Sequence, residues 1–249
     1  MPATVLFALE ETRDVVWNLV AYLIVKWDLG EASPARVALI VGGALLCIVV
    51  PYLLGSVNPA VIISKCFYHD DVRDHGSGNA GSADMLRVCG KKAAAVTLAL
   101  DLAKAAVAFW FGFWLLGING ASIAGFFVVF GQMYPVFHRF RGGTGVVCLA
   151  VVALCTNPVT FAILLGIWLV IAFGTRFVSL ASVMTALFYP LILRAFTGEN
   201  GGLAVAMAVL SAVFVVLRHM ENLKRLYHGK EPKLHFSRKS NNKEDKDPR

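Results

Sequence analysis

Four polar clusters interrupt an otherwise apolar chain: GSVNP at 55–59, DVRDHGSGNAGSADMLR at 71–87, GQMYPVFHRFRGGTG at 131–145 and RHMENLKRLYHGKEPKL at 218–234. Successive backbone N–H groups in glycine-rich turns form concave nests that bind anions, and a helix beginning just beyond them adds the positive end of its dipole. Both GSGNAG (76–81) and GGTG (142–145) have this character. Arg73, Arg87, Arg139 and Arg141 supply fixed charge and the forked donors that phosphate favours. Taken singly, glycines in membrane loops make turns and basic residues beside spans set topology. Four such clusters on one face converge on a phosphate-bearing ligand.

That common face follows from the elements between the clusters. Hydrophobic residues make up 57% of the 249 residues, charged residues only 16%, and mean hydropathy is +0.67, the balance of an integral membrane protein. Apolar runs fall at 36–64, 93–116, 121–135, 145–155, 158–173, 178–196 and 203–217. The expected fold is therefore all-α, a polytopic protein of about seven transmembrane helices with its site in cytoplasmic loops. Two runs, 145–155 and 158–173, fall short of the roughly 20 residues that cross a bilayer. Charge placement decides whether they count separately. With seven spans, eighteen of the 23 Lys and Arg residues lie on one side, together with the glycine-rich loops and the C-terminus, and four on the other. Merging 145–173 into one span would split the basic residues, against the positive-inside rule.

Residues 1–35 lack the basic start of a signal peptide and carry Glu10, Glu11 and Asp14 ahead of a short apolar run, which predicts an N-terminal extension forming an interfacial helix. The membrane domain is expected over 36–234. The remainder, 235–249, has nothing apolar to bury and reads as a disordered basic tail. The net charge of +7 follows from membrane topology, and no basic stripe interleaved with aromatics marks a nucleic-acid partner. Cys47, Cys66, Cys89, Cys148 and Cys155 have no metal-ligand spacing and read as packing residues. Asp101 and Lys104, three apart within a span, call for pairing; an internal ion pair and a role toward substrate both fit.

Order and spacing of the clusters resemble the bacterial acyl-phosphate:glycerol-3-phosphate acyltransferases of the PlsY type. The matching residues are Gly55 and Ser56; Arg73, Ser77, Gly78, Asn79, Gly81 and Arg87; Gly131, Tyr134, Pro135, Phe137, Gly142, Gly143 and Gly145; and His219, Asn222, Arg225, Gly229 and Glu231. The resemblance covers about 45–234. It implies transfer of a fatty acyl group from acyl phosphate to the 1-hydroxyl of glycerol 3-phosphate at the cytoplasmic face of the cell membrane, giving lysophosphatidic acid. It implies no metal and no cofactor, because acyl phosphate is already activated; the partners are those two substrates and the lipid bilayer. On this basis Ser56, Arg73, Ser77, Gly78, Asn79 and Arg87 grip phosphate, and Arg141, Gly142, Gly143, Thr144 and Gly145 take the other anionic group. His219 and Asn222, three apart on a helix end, would orient the glycerol, with either the histidine or substrate phosphate taking the hydroxyl proton.

The chain departs from the family pattern at polar positions. Thr144 stands in place of the lysine of GGKG, Gln132 of a histidine, Ala83 and Asp84 of a Thr-Asn pair, and Cys148 of a threonine. The alternative to an acyltransferase is a catalytically silent or altered-substrate membrane protein on the same fold, binding a phospholipid precursor or a partner enzyme.

Overall fold

The computed structural model describes residues 18–30, 33–76, 78–198 and 201–233, and among them all regular structure is helical. The helices are α1 (Leu19–Lys26), α2 (Pro34–Ser56), α3 (Pro59–Tyr68), α4 (Ser82–Val88), α5 (Lys91–Met133), α6 (Val146–Thr156), α7 (Pro158–Thr175), α8 (Val178–Thr197), α9 (Gly202–Arg218) and α10 (Met220–Tyr227). Short 3₁₀ turns cover Val72–Asp74 and Val136–His138. Residues 1–17 of the expected extension, and the tail 235–249, lie outside the described residues. Of the extension, α1 packs onto the bundle: Val20 is buried with Cys47 and Leu115.

Four segments are long and apolar enough to cross a bilayer: Pro34–Tyr68, Lys91–His138, Pro158–Thr175 and Val178–Thr197. A fifth is counted only when Gly202–Arg218 and Met220–Tyr227, bent by 53° to one another, are taken as one span. Length and composition thus return fewer crossings than the seven expected, for two reasons. Val146–Thr156 has only 11 residues, about 16 Å of helix, and Lys91–His138 counts once although it contains a reversal. Within α5, Leu116 and Gly117 leave helical geometry, Gly117 at φ 60°. Gly112 and Gly120, about 12 Å apart in a straight helix, instead meet backbone to backbone: a Cβ on either would collide with the carbonyl oxygen of the other. α5 is therefore a hairpin with legs 91–115 and 118–133.

The GSVNP cluster breaks the first apolar run. α2 ends at Ser56, and Asn58 caps α3 by accepting a hydrogen bond from the Val61 amide at 3.2 Å, with Pro59 in the first turn where its missing N–H costs nothing. α2 then approaches the second leg of α5 at backbone contact: a Cβ on Gly55 would strike the Val128 carbonyl and one on Gly131 the Tyr52 carbonyl. Small residues permit such close crossings in membranes, where shape and dispersion rather than exclusion of water hold helices together.

Lys104 ties the end of α2 to both legs of α5. Its ammonium lies 2.8 Å from Asp101 Oδ1 on the same leg, donates to the carbonyls of Gly55 (3.3 Å) and Val57 (2.7 Å) at the end of α2, and also donates to Gln132 Oε1 on the other leg. Gln132 Nε2 donates to Asp101 Oδ2 at 3.4 Å. The internal ion pair expected for Asp101 and Lys104 is present, and it also satisfies backbone carbonyls that the end of α2 leaves open.

Gly112→Val and Gly120→Val each force apart the legs of the hairpin, and overpacking typically costs about 1–3 kcal/mol. Both variants are expected to lower the melting temperature of the detergent-solubilised protein, whereas Gly166→Ala, whose Cβ would meet nothing within 4 Å, leaves it unchanged or raises it. Equal melting temperatures for all three would contradict the close crossing.

Candidate active site

The loops that carry the polar clusters converge at one end of the bundle, and the GG turn is the piece they share. Gly143 N–H donates to the Gln132 carbonyl at 3.0 Å, and Ala80 N–H reaches the Gly142 carbonyl at 3.5 Å. A Cβ on Gly142 would collide with the Gln132 carbonyl, and one on Gly143 would sit 2.6 Å from the Ala80 carbonyl. The two glycines are thus required by close passage between the second leg of α5 and the GSGN loop. Asn58 Nδ2 donates to the same Ala80 carbonyl at 3.3 Å, and buried Ser56 accepts from Val136 N–H at 3.4 Å.

Arg73 clamps the neighbouring turn. Its Nε and Nη2 grip the Asp71 carboxylate at 2.9 and 2.7 Å, and Nη1 donates to the carbonyls of His138 and Arg141, both at 3.0 Å. The Arg73 guanidinium holds the Asp71 carboxyl well below the usual carboxylate range. The clamp stabilises a turn in which Arg139 and Phe140 both adopt left-handed backbone, at φ 55° and 58°, a conformation that costs non-glycine residues roughly 1–2 kcal/mol each.

Arg218, at the end of α9, joins the two glycine loops. Its Nη2 donates to the Gly142 carbonyl (2.8 Å) and Asn79 Oδ1 (3.3 Å), and Nε donates to the Gly143 carbonyl (3.2 Å). The guanidinium lies over the Tyr134 ring, 5.7 Å from its centre, within cation–π range. In the sequence Arg218 opens the fourth polar cluster, but its joining role is not marked there, because a basic residue at a span end is expected for topology alone.

These contacts enclose a cavity of about 770 Å³. Of the residues expected to form the site, Asn79, Arg87, Thr144, Gly145, His219 and Asn222 line it. Ser56, Arg73, Gly78, Arg141, Gly142 and Gly143 do not, and Ser77 lies outside the described residues. The polar rim is completed by Arg225, Lys230 and Glu231, and the cavity continues between helices past Leu98, Val147 and Trp168. Trp168 is fixed by its Nε1–H, which donates to Ser182 Oγ at 3.2 Å.

His219, just beyond the apolar run 203–217, is 3% exposed. Its Nδ1 is 2.8 Å from the Val215 carbonyl, which can only accept, so Nδ1 carries a proton and Nε2 of the neutral ring keeps its lone pair. Burial pushes its pKa down, and the Arg218 charge adds to this, outweighing the opposing effects of the Val215 carbonyl and Glu231. Asn222 Nδ2 donates to Glu231 Oε1 at 2.9 Å, and Arg225 Nε donates to Glu231 Oε2 at 3.0 Å. Burial raises the Glu231 pKa, but these hydrogen bonds and the Arg225 charge outweigh it and leave the group below its ordinary value. The amide orientation that Glu231 imposes makes Asn222 Oδ1 an acceptor. A neutral imidazole and an acceptor amide three residues apart can bind and deprotonate a hydroxyl.

Residues 45–229 match the family model described as glycerol-3-phosphate acyltransferase. The chain belongs to this family. A "Glycerol-3-phosphate acyltransferase" of Thermoanaerobacter sp. (strain X514) is 38% identical over 191 residues, covering 77% of this chain and 96% of the relative. One of Photobacterium profundum is 40% identical over 195 residues, covering 76% and 92%. The crystal structure of PlsY (YgiH), an integral membrane glycerol 3-phosphate acyltransferase, in its glycerol 3-phosphate form, is 32% identical, with a TM-score of 0.71 over 77% of this chain and 96% of that one. Its lysophosphatidic acid form is 30% identical, with a TM-score of 0.69. The chain is thus an all-helical integral membrane protein of the family.

The positions at which this member departs from the family pattern are occupied coherently. Gln132 takes part in the Lys104 and Asp101 network. Cys148 is fully buried, its thiol facing the Asp101 carbonyl at 3.9 Å. Asp84 is buried at the start of α4, where a carboxylate is favoured by the helix dipole, and Arg87 Nη1 donates to its Oδ1 at 3.0 Å. Thr144 brings a hydroxyl, and no charge, to the cavity wall.

Arg218→Ala removes donors to two loop carbonyls and to Asn79, each unmade hydrogen bond of a charged donor costing about 1.5–3 kcal/mol. It is expected to lower thermal stability and loosen both glycine loops, read as faster amide hydrogen exchange over 78–81 and 142–145. Unchanged exchange in both segments would remove Arg218 from its joining role.

Proposed function

We propose that this chain transfers a fatty acyl group from acyl phosphate to the 1-hydroxyl of glycerol 3-phosphate, giving lysophosphatidic acid, a step of phospholipid biosynthesis. The observation that carries the assignment is the pairing of His219 and Asn222 on the wall of a cavity that is polar at its mouth and apolar between the helices. One substrate is a small polar phosphate ester and the other a phosphate on a long alkyl chain, and the two ends of the cavity match those two chemistries.

In the proposed reaction, the glycerol hydroxyl donates to His219 Nε2 or to Asn222 Oδ1. Its oxygen attacks the acyl carbonyl carbon, the bond from that carbon to the phosphate oxygen breaks, and inorganic phosphate leaves. The hydroxyl proton passes to His219 Nε2, which returns it to phosphate. Asn79, Arg87, Thr144 and Gly145 bind phosphate from the wall. Ser56, Arg73, Gly78, Arg141, Gly142 and Gly143 serve the site by holding those loops in register. We place the protein in the plasma membrane with seven crossings, the cavity mouth and C-terminus facing the cytoplasm. The eighteen-to-four distribution of basic residues supports that orientation.

Purified protein in detergent, given acyl phosphate and labelled glycerol 3-phosphate, is expected to form lysophosphatidic acid. Folded protein that forms none with any acyl donor would instead favour a silent binding protein. His219→Ala should lower kcat about 10²-fold or more, the usual share of a general base. Because neutral histidine is the active form and its pKa is depressed below 6.5, kcat/KM should hold steady at pH 7 and fall only as pH drops through that lowered pKa. An acid limb that persists in His219→Ala would assign the titration to another group.

A further inference from the structure

We infer that Lys230 adds to this site, beside the carboxylate-paired Arg87, an uncompensated phosphate-binding cation in place of the positive charge that Thr144 leaves out of the GGTG loop. The inference rests on the acyl-transfer assignment and names a binding residue within it. Its basis is the distribution of charge around the cavity. Arg87 is committed to Asp84 at 3.0 Å, and Arg225 to Glu231 at 3.0 Å. Lys104, which is not on the wall although its partners Asp101 and Gln132 are, is committed to Asp101 at 2.8 Å. Arg139 and Arg141 are not on the wall. Among the described residues, Lys230 is the one cavity-lining cation with no carboxylate within 4 Å. A phosphate entering a half-enclosed cavity whose other charges are already paired finds its uncompensated counter-charge there.

Lys230 is also held in place. Gly229 adopts left-handed backbone at φ 68° and closes the end of α10, with its N–H on the Leu226 carbonyl at 3.0 Å, while Lys230 N–H donates to the Arg225 carbonyl at 2.8 Å. One residue later, Glu231 is anchored by Asn222 and Arg225. The backbone of Lys230 is thus pinned on both sides, and its flexible stem brings a compact ammonium to the rim. The same Asn222 that presents its Oδ1 to the glycerol hydroxyl holds the segment bearing the cation, so the phosphate and the reacting hydroxyl of one substrate are addressed from one short element. Thr144 lines the same cavity, so a lysine there would reach the same space.

The test compares full-length wild type, Lys230→Ala, and Lys230→Ala combined with Thr144→Lys, in detergent. Glycerol 3-phosphate binding is measured by calorimetry, and KM is measured for glycerol 3-phosphate and acyl phosphate separately. Lys230→Ala is expected to weaken glycerol 3-phosphate binding at least tenfold and to raise its KM with kcat changed less than threefold, and Thr144→Lys should recover most of that loss. A rise confined to the KM of acyl phosphate would support Lys230 as a phosphate ligand but place it on the donor. Binding and both KM values within twofold of wild type in Lys230→Ala, or no recovery in the double variant, would overturn the inference, as would wild-type protein that binds no glycerol 3-phosphate. Wild-type protein that binds it, loses that binding in Lys230→Ala and yet makes no lysophosphatidic acid would uphold Lys230 and sink acyl transfer alone.

Discussion

A lysine ammonium buried among membrane helices is the constraint around which the site is organised. Placing Lys104 or Asp101 at the centre of a transmembrane helix costs about 2.5–3.5 kcal/mol each by insertion scales, so neither is tolerated without partners. The partners come from three places: a carboxylate one turn away, an amide on the opposite leg of the hairpin, and two carbonyls where α2 ends. Satisfying the charge therefore fixes where α2 stops and how the legs of α5 align. It also sets the floor of the cavity, since both Asp101 and Gln132 line it. The break at GSVNP, which leaves carbonyls unpaired, and the charged residue in a span, which needs acceptors, each solve the other's problem.

Above that floor the loops are held by backbone contact and by arginines that never reach the cavity. The GG turn passes between the Gln132 and Ala80 carbonyls at distances that exclude any side chain, and Arg218 and Arg73 supply donors to carbonyls on either side of it. Arginine suits this work because its planar fork bonds several fixed acceptors at once while remaining charged. The consequence for chemistry is a rigid rim. His219 and Asn222 follow directly on Arg218, so the residue that locks the loops also sets the position of the groups proposed to act on the hydroxyl.

The departures from the family pattern fall into two kinds. Gln132, Asp84 and Cys148 are absorbed by local partners: an amide that both donates and accepts within the ion-pair network, a carboxylate neutralised by Arg87, and a small buried thiol. Thr144 is different, because no partner can restore a charge that the residue lacks. Any compensation has to come from another element, which is why the lysine beyond α10, paired with no carboxylate among the described residues, carries weight.

Much was legible in the sequence because it depends on composition and on local order along the chain. Helical class, membrane character, the break at Asn58 and Pro59, the need for Asp101 and Lys104 to pair, and the four polar clusters all follow from hydropathy, proline and charge within a few residues of each other. The family likewise follows from the order and spacing of side chains. The division of labour among those side chains was not legible. Glycine at 142 and 143 reads equally as an anion nest or as a close backbone crossing, and only its neighbours, 10 residues before and more than 60 before in the chain, decide for the crossing. Arg73 and Arg218 look like topology or phosphate ligands until their acceptors are seen to be carbonyls 65 to 76 residues away. The reversal at Leu116 and Gly117 was marked in sequence only as a gap between two apolar runs, and the cost of a charge in the bilayer turns it into a contact between Lys104 and Gln132. Local sequence sets which groups must find partners; the tertiary fold alone brings distant partners within reach.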